Sequence, residues 1–148
     1  MAPATVSNLS CGFDVIGLAL CEPFDTVELE LTLTGRVEIM AVSGCNTISR
    51  DPGKNVAGAV LKAIADAVGN NTGFRITIEK GIRPGSGIGS SGASAAAAAF
   101  AANQLLGGVF SMNETVRFAM EGERLASGAP HADNVAPALY GGITLVRS

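Results

Sequence analysis

The chain has little of what marks metal-binding, secreted or nucleic-acid-binding proteins. Its 148 residues contain one histidine, three cysteines and no tryptophan. Cys11, Cys21 and Cys45 show no metal-ligand spacing, and an odd number of thiols favours a reducing compartment over a disulfide framework. The 10 Lys and Arg residues against 13 Asp and Glu give a net charge of −3, so no basic surface suggests nucleic acid as a partner.

The sequence also shows no targeting segment and no long hydrophobic run. No basic region followed by an apolar run begins the chain, and the longest apolar stretch, residues 95–102, is too short and too rich in alanine to cross a bilayer. We therefore expect a cytoplasmic protein that binds no membrane. A chain of this length can bury roughly 68–70% of its unfolded surface, which predicts one domain over residues 1–148.

Strand patterns alternate with helical ones. Residues 26–33 alternate strictly between polar and apolar side chains, and the alternation resumes at 37–41 after Gly35, which predicts a hairpin with one wet face. Residues 74–79 predict another strand, and 142–146 a last one. Apolar residues at helical spacing predict a helix over 56–68 that ends at Gly69. Ser111 and Glu114 form a capping box that predicts a helix to about residue 126.

The most informative segment is a glycine-rich and serine-rich loop at residues 84–94, which continues directly into an alanine-rich helix. Such a loop offers backbone N–H groups, hydroxyls and a helix N-terminus in one place, and together these suit a phosphate. A flexible connector is the alternative, but linkers do not normally continue into an uninterrupted helix. The loop therefore predicts an anion site.

Two well-known nucleotide motifs are disfavoured for this loop. Gly87, Gly89 and Gly92 match the dinucleotide fingerprint, but no Asp or Glu lies about 20 residues further on to bind a ribose. The segment also contains no Lys followed by Ser or Thr, which a P-loop requires. The phosphate chemistry must therefore belong to another class of loop.

Three stretches resemble the GHMP kinases, the family that includes galactokinase, mevalonate kinase and homoserine kinase. The loop sequence PGSGIGSSGAS is similar to their second signature, which wraps the triphosphate of ATP. The opening APATVSNLSCGFDVIGLAL and the downstream HADNVAPALYGG resemble the homoserine kinase branch. These ordered matches run from Ala2 to Gly142 and cover almost the whole chain.

The resemblance implies an α+β fold, a two-layer GHMP kinase N-terminal domain like the second domain of ribosomal protein S5. It also implies that residues 1–148 form the N-terminal ATP-binding half of such an enzyme, with a possible homodimer. The segment that would bind ATP comprises Pro84, Gly85, Ser86, Gly87, Ile88, Gly89, Ser90 and Ser91. Asn55 resembles a family position near the adenine, although it could equally be the N-cap of the helix that it begins.

The same resemblance assigns Mg²⁺ to Ser91 and Glu123. Each has a plainer interpretation, because Ser90 or Ser91 could cap the helix, and we expect at least one of them to do so. Glu123 lies in a charged run where a carboxylate would ordinarily be solvated. Glu121 is a poor second ligand, since residues two apart on a helix face nearly opposite ways.

The acceptor pocket implied by the resemblance is formed by Asn8, Asp14, His131 and Asn134. L-Homoserine carries an ammonium, a carboxylate and a hydroxyl, so Asp14 can pair with the ammonium while the two asparagines bind neutral groups. A lone histidine is more often structural, and His131 with Asp133 is too small a cluster to indicate zinc. We expect Asp133 or Asn134 to cap the segment after them.

The implied reaction transfers the γ-phosphoryl group of ATP to the homoserine hydroxyl, with Asn134, Ser91 and Glu123 as the catalytic residues. Homoserine kinases have Asn where other GHMP kinases place an Asp as base, so no dedicated base is expected and the proton would pass late, to the phosphate. Two alternatives stay open. The chain could belong to another GHMP kinase, such as a mevalonate-pathway enzyme, or form a non-catalytic nucleotide-binding or dimerising domain.

Overall fold

The computed structural model describes residues 1–7 and 15–147. Within these residues, five strands and four α-helices follow one another, with a short 3-10 helix at Pro52–Lys54. The strands are β1 (Ala2–Ser7), β2 (Ile16–Thr32), β3 (Val37–Ser43), β4 (Gly73–Glu79) and β5 (Ile143–Leu145). The helices are α1 (Val56–Val68), α2 (Ser90–Leu105), α3 (Met112–Ser127) and α4 (Val135–Tyr140). No helix in these described ranges is both long and apolar enough to cross a membrane.

The strands form one sheet in the order β1-β2-β4-β3, and β5 pairs with the start of β2. The predicted hairpin of residues 26–33 and 37–41 is wrong, because β4 lies between the two strands. β4 is antiparallel to β2 and parallel to β3, the latter through the α1 crossover. Alternation of polar and apolar residues predicts which face of a strand is buried, but it does not predict which strands pair with each other.

The helices pack on one face of this sheet, which confirms the α+β prediction. The inward face of β4 carries Phe74, Ile76 and Ile78, each at most 1% exposed, against buried residues of α1 and α2. The opposite face carries exposed charges, including Arg75 bonded to Glu38 at 3.0 Å. Burial of a large apolar side chain contributes about 1.5–3 kcal/mol to stability. The inward face of β4 is therefore an important part of the stabilising core.

The alanines of α2 allow close packing of the helices. Ala95, Ala98 and Ala99 are fully buried in the core. On the facing helix α3, a Cβ added at Gly122 would lie 2.9 Å from the Cβ of Ala95 and 2.6 Å from Cγ1 of Val56. Small residues on both helices are therefore what allows α3 to approach α2 and α1.

The ends of α1 and α3 follow the sequence signals. Asn55 is the N-cap of α1, and its Oδ1 accepts a hydrogen bond from the N–H of Gly58 at 3.2 Å. Ser111 and Glu114 form the predicted capping box of α3, and Gly128 ends that helix in the left-handed region. These predictions are confirmed because each cap depends on residues within a few positions of the helix end.

Candidate active site

The glycine-rich loop reverses the chain between β4 and α2. Gly85, Gly87 and Gly89 have φ angles of +75°, +78° and +66°, a conformation that side-chain-bearing residues rarely adopt. Gly85 and Gly87 are exposed to solvent. The loop therefore presents its backbone outward immediately before α2 begins.

The N-terminus of α2 is open. Gly89 is its N-cap, and no side chain in the described part of the chain caps it. The expectation that Ser90 or Ser91 caps the helix is wrong. The hydroxyl of Ser90 instead donates to the carbonyl of Ile82 at 2.9 Å, which closes the base of the loop. The first N–H groups of α2 have no partner within the helix and are available to an anion.

The loop is anchored to β1 at Thr5. The N–H of Thr5 donates to the carbonyl of Ile88 at 3.1 Å. A Cβ added at Gly89 would overlap the Thr5 hydroxyl and would lie 2.9 Å from Oδ1 of Asn134. Glycine at position 89 is thus required both by its φ angle and by the close approach of its neighbours.

Asn134 joins this loop to the segment before α4. Its Oδ1 accepts a hydrogen bond from the Thr5 hydroxyl at 2.9 Å, and its Nδ2 donates to the Ser7 hydroxyl at 2.9 Å. Asn134 is the N-cap of α4 by position, but its side chain makes no capping bond, so the expected side-chain cap is wrong at this residue. Its amide is committed to β1 and lies beside the phosphate loop.

Two buried carboxylates lie near the start of α2. Glu123 is 6% exposed and Asp133 is 2% exposed, and Oε1 of Glu123 and Oδ1 of Asp133 have no hydrogen-bond partner among the described residues. Burial raises the pKa of the Glu123 carboxyl, the Ser91 hydroxyl lowers it, the Asp133 carboxylate raises it and His131 lowers it. Ser91, Glu123 and Asp133 therefore form one cluster of a hydroxyl and two carboxylates.

This cluster is smaller than a conventional metal cage. No group of three or more His, Cys, Asp or Glu side chains capable of holding a metal occurs in residues 1–7 and 15–147. Mg²⁺, however, is usually bound by one or two carboxylates together with phosphates and water. The unpartnered oxygens of Glu123 and Asp133 fit that requirement.

His131 lies at the edge of a second feature, an open groove of about 910 Å³ between α3, α4 and β5. The groove is lined by His131 but not by Ser91, Glu123 or Asn134. His131 nevertheless lies close enough to Glu123 to lower the pKa of that carboxyl. Its assignment to the acceptor pocket stays a prediction.

The remaining predicted positions divide into two groups. Asn55 is 3% exposed and also donates from Nδ2 to the Ser49 carbonyl at 2.8 Å, so the N-cap interpretation is confirmed and the adenine contact stays a prediction. Asn8 and Asp14 lie outside the described residues. Ser7, the last described residue before that segment, is hydrogen-bonded to Asn134.

Sequence reasoning missed two features. It set aside a zinc cluster of His131 with Asp133 and otherwise gave Asp133 only a possible capping role, although it lies inside the motif between His131 and Asn134. It also missed an ion pair between Asp25 and Lys80, which are 0% and 7% exposed. The strand pattern contained the signal, because positions two apart on a strand face the same side. Asp25 therefore shares a side with Val27 and Leu29. Lys80 shares one with Ile76 and Ile78.

The family comparison matches the GHMP kinases N terminal domain over residues 55–142. Homoserine kinase of Haloquadratum walsbyi is 50% identical over 147 residues, which is 99% of this chain and 48% of that protein. Homoserine kinase of Methanococcus maripaludis is 44% identical over 147 residues, 99% of this chain and 49% of that protein. The chain thus spans about half the length of the curated relatives it matches.

Solved structures show the same similarity. The crystal structure of homoserine kinase from Cytophaga hutchinsonii matches with a TM-score of 0.92 and 46% identity, over 99% of this chain and 47% of that chain. The mevalonate kinase of Methanococcus jannaschii matches with a TM-score of 0.72 and 19% identity, over 96% of this chain and 50% of that one. The second match supports the fold alone.

Proposed function

Since this chain belongs to the GHMP kinase family, we propose that it forms the ATP-binding half of a homoserine kinase, which phosphorylates the side-chain hydroxyl of L-homoserine. The observation that carries the proposal is the meeting of an open helix N-terminus with two buried carboxylates that have unpartnered oxygens. An anion at the helix and a cation at the carboxylates are complementary. ATP with a divalent cation provides both.

ATP binds along the loop of residues 84–91 in this proposal. The backbone N–H groups at the start of α2 contact the phosphates, and the glycines allow the backbone to approach them closely. Phosphoryl transfer needs little covalent chemistry from the protein, because alignment and neutralisation of charge account for most of the catalysis. The anchoring of the loop at Thr5 serves the alignment.

Mg²⁺ fits beside Ser91 and Glu123, with Asp133 near them. The ion would neutralise negative charge on the ATP phosphates. Without a cation, burial disfavours ionised Glu123, and the adjacent Asp133 carboxylate disfavours it further. A cation reverses both effects, so the cluster is better explained as a binding site than as a structural element.

The acceptor homoserine lies against Asn134 and His131, with Asn8 and Asp14 completing the pocket. The Asn134 amide is held by Thr5 and Ser7, and an amide retains one further donor hydrogen and one further acceptor lone pair. These orient the homoserine hydroxyl toward the γ-phosphate. In this scheme the hydroxyl proton passes to the transferred phosphoryl group.

The test is a substrate panel on the full-length protein, with ADP release measured for homoserine, mevalonate, galactose and shikimate. We expect turnover with homoserine and none with the other three. Turnover with mevalonate instead would place the chain with another GHMP kinase, and no turnover with any acceptor would favour the non-catalytic alternative. A Ser91→Ala variant that folds but has lost most of its turnover would locate the reaction at this loop.

A further inference from the structure

The ion pair of Asp25 and Lys80 lies at the base of the phosphate loop. Asp25 belongs to β2, and Lys80 directly follows β4, one position beyond the strand pair Thr26 and Glu79. The side chains of Asp25 and Lys80 are 0% and 2% exposed. A buried pair costs desolvation energy and is weak evidence for stability, so its position calls for another explanation.

The hydrogen-bond donors of the Lys80 ammonium are all occupied by groups of the protein itself. Its ammonium donates to the Asp25 carboxylate, to the Ser90 carbonyl at 2.9 Å and to the Ser94 hydroxyl at 2.8 Å. An ammonium has three donors, and all three are occupied. Lys80 is therefore no substitute for the phosphate-binding lysine of a P-loop, because no donor is left for a ligand.

The carboxylate of Asp25 is equally committed. Its Oδ1 accepts from the N–H groups of Gly81 at 3.1 Å and Ile82 at 3.0 Å, and its Oδ2 accepts from the Ser94 hydroxyl at 2.6 Å. Gly81 and Ile82 enter the loop, whereas Ser94 lies in the first turns of α2. The pair thus binds both ends of the loop.

We propose that Asp25 and Lys80 are positioning residues that fix the base of the phosphate loop and the direction of the α2 N-terminus. The inference rests on the proposed function, since it gives the loop an ATP phosphate to bind. The two charges cancel, so the pair acts through its hydrogen bonds and not by attracting the anion. Misplacing reacting groups by about 1 Å can cost about 100-fold in rate.

The test compares the double variant Asp25→Asn/Lys80→Met with wild type in the full-length protein. Both buried charges disappear together, which avoids leaving one unpaired, and an Asn oxygen can still accept from Gly81 and Ile82. The matched control is Glu38→Gln/Arg75→Met, which removes an exposed ion pair on the far face of the sheet. Circular dichroism and thermal unfolding establish that each variant is folded.

We expect the double variant to raise the KM for ATP by about tenfold and to lower kcat, with the KM for homoserine within about twofold of wild type. Amide hydrogen exchange over residues 83–92 should be faster than in wild type. The control variant should change none of these. A folded double variant with unchanged ATP kinetics and unchanged exchange overturns the proposal.

Two further measurements keep the outcome decisive. If the double variant does not fold, Ser94→Ala replaces it, because alanine suits a helix and the change removes only the two bonds between the Ser94 hydroxyl and the pair. Faster exchange over residues 83–92 and weaker ATP binding support the proposal, and wild-type values overturn it. ATP affinity is also measured directly by calorimetry. A wild type that binds ATP without phosphorylating homoserine contradicts the proposed function alone, and one that binds no ATP contradicts both.

Discussion

The Thr5 hydroxyl donates a hydrogen bond of 2.9 Å to Oδ1 of Asn134, a residue 129 positions later in the sequence. The bond joins the first strand of the sheet to the last motif of the domain. Gly89 lies against both residues, so the same contact also sets the position of the phosphate loop. Three motifs that are distant in sequence therefore meet at one point.

Replacing Asn134 with Ala should lower kcat by less than about 100-fold, because removal of a true general base typically costs 100- to 10,000-fold. The variant loses alignment of the acceptor hydroxyl while the proposed route of the proton is unchanged. Thr5→Val is the matched control, since it removes the same hydrogen bond but keeps the amide, and its effect should be smaller. Steady-state kinetics with varied homoserine measures both. A loss well above this range would make Asn134 more than an orienting residue.

Glu123→Gln should raise the Mg²⁺ concentration needed for half-maximal activity, because the charge that attracts the ion is lost. The KM for homoserine should change little. Glu121→Gln on the same helix is the control, because Glu121 pairs with Arg124 at the surface. The measurement is a Mg²⁺ titration at saturating ATP. An unchanged titration would leave Glu123 without a role in metal binding.

The raised pKa of Glu123 predicts how stability depends on pH. The folded state holds the proton more tightly than the unfolded state, so this group favours folding below the ordinary pKa of 4.5 and loses that contribution as pH rises through the higher folded-state pKa. At pH 7 without divalent cations, Glu123→Gln should therefore raise Tm. The gain should shrink as pH falls toward 4.5, and a pH-independent difference would argue against the shift.

Asp133→Asn should lower the pKa of Glu123 and weaken Mg²⁺ binding, because the neighbouring negative charge is removed. Asp66→Asn on the exposed side of α1 is the control. The pH dependence of Tm and the Mg²⁺ titration test the two effects. A fall in kcat of more than about 100-fold at saturating Mg²⁺ would instead identify Asp133 as the proton acceptor.

Gly89→Ala should abolish tight ATP binding, since the new methyl group would overlap the Thr5 hydroxyl. Gly128→Ala is a close control, because Gly128, like Gly89, lies in the left-handed helical region but has no atom within 4 Å of an added Cβ. The control isolates backbone strain, which costs about 1–2 kcal/mol. Thermal unfolding and nucleotide titration separate the two contributions, and equal behaviour of the two variants would contradict the close approach at Thr5.

The sequence predicted features that depend on neighbouring residues and missed those that depend on distant ones. The capping box at Ser111, the end of α1 at Gly69 and the turn into α2 are local, and all three are observed. Asp133 or Asn134 was expected to cap the segment after them, but the amide of Asn134 bonds to β1. The competition between local and distant partners for one polar side chain is not visible in a local pattern.

The pairing of strands shows the same limit, with one recoverable signal. Nothing within residues 26–41 reveals that β4 will separate β2 from β3. Asp25 and Lys80, however, each place a charge on the inward face of a strand that is otherwise apolar on that side. Two opposite charges in such positions predict that they pair, since an isolated buried charge is too costly, and this would have placed β2 beside β4.

The central position of β4 also sets the order in which the domain can fold. β2 and β3 are synthesised first, yet each has an edge that is completed only when β4 arrives, after the α1 crossover. Until residue 79 is available, the sheet consists of separate pieces with unpaired backbone groups, which favour association with other chains. Non-local pairing of this kind slows folding. A nascent chain that stalls before β4 therefore exposes strand edges through which it can aggregate.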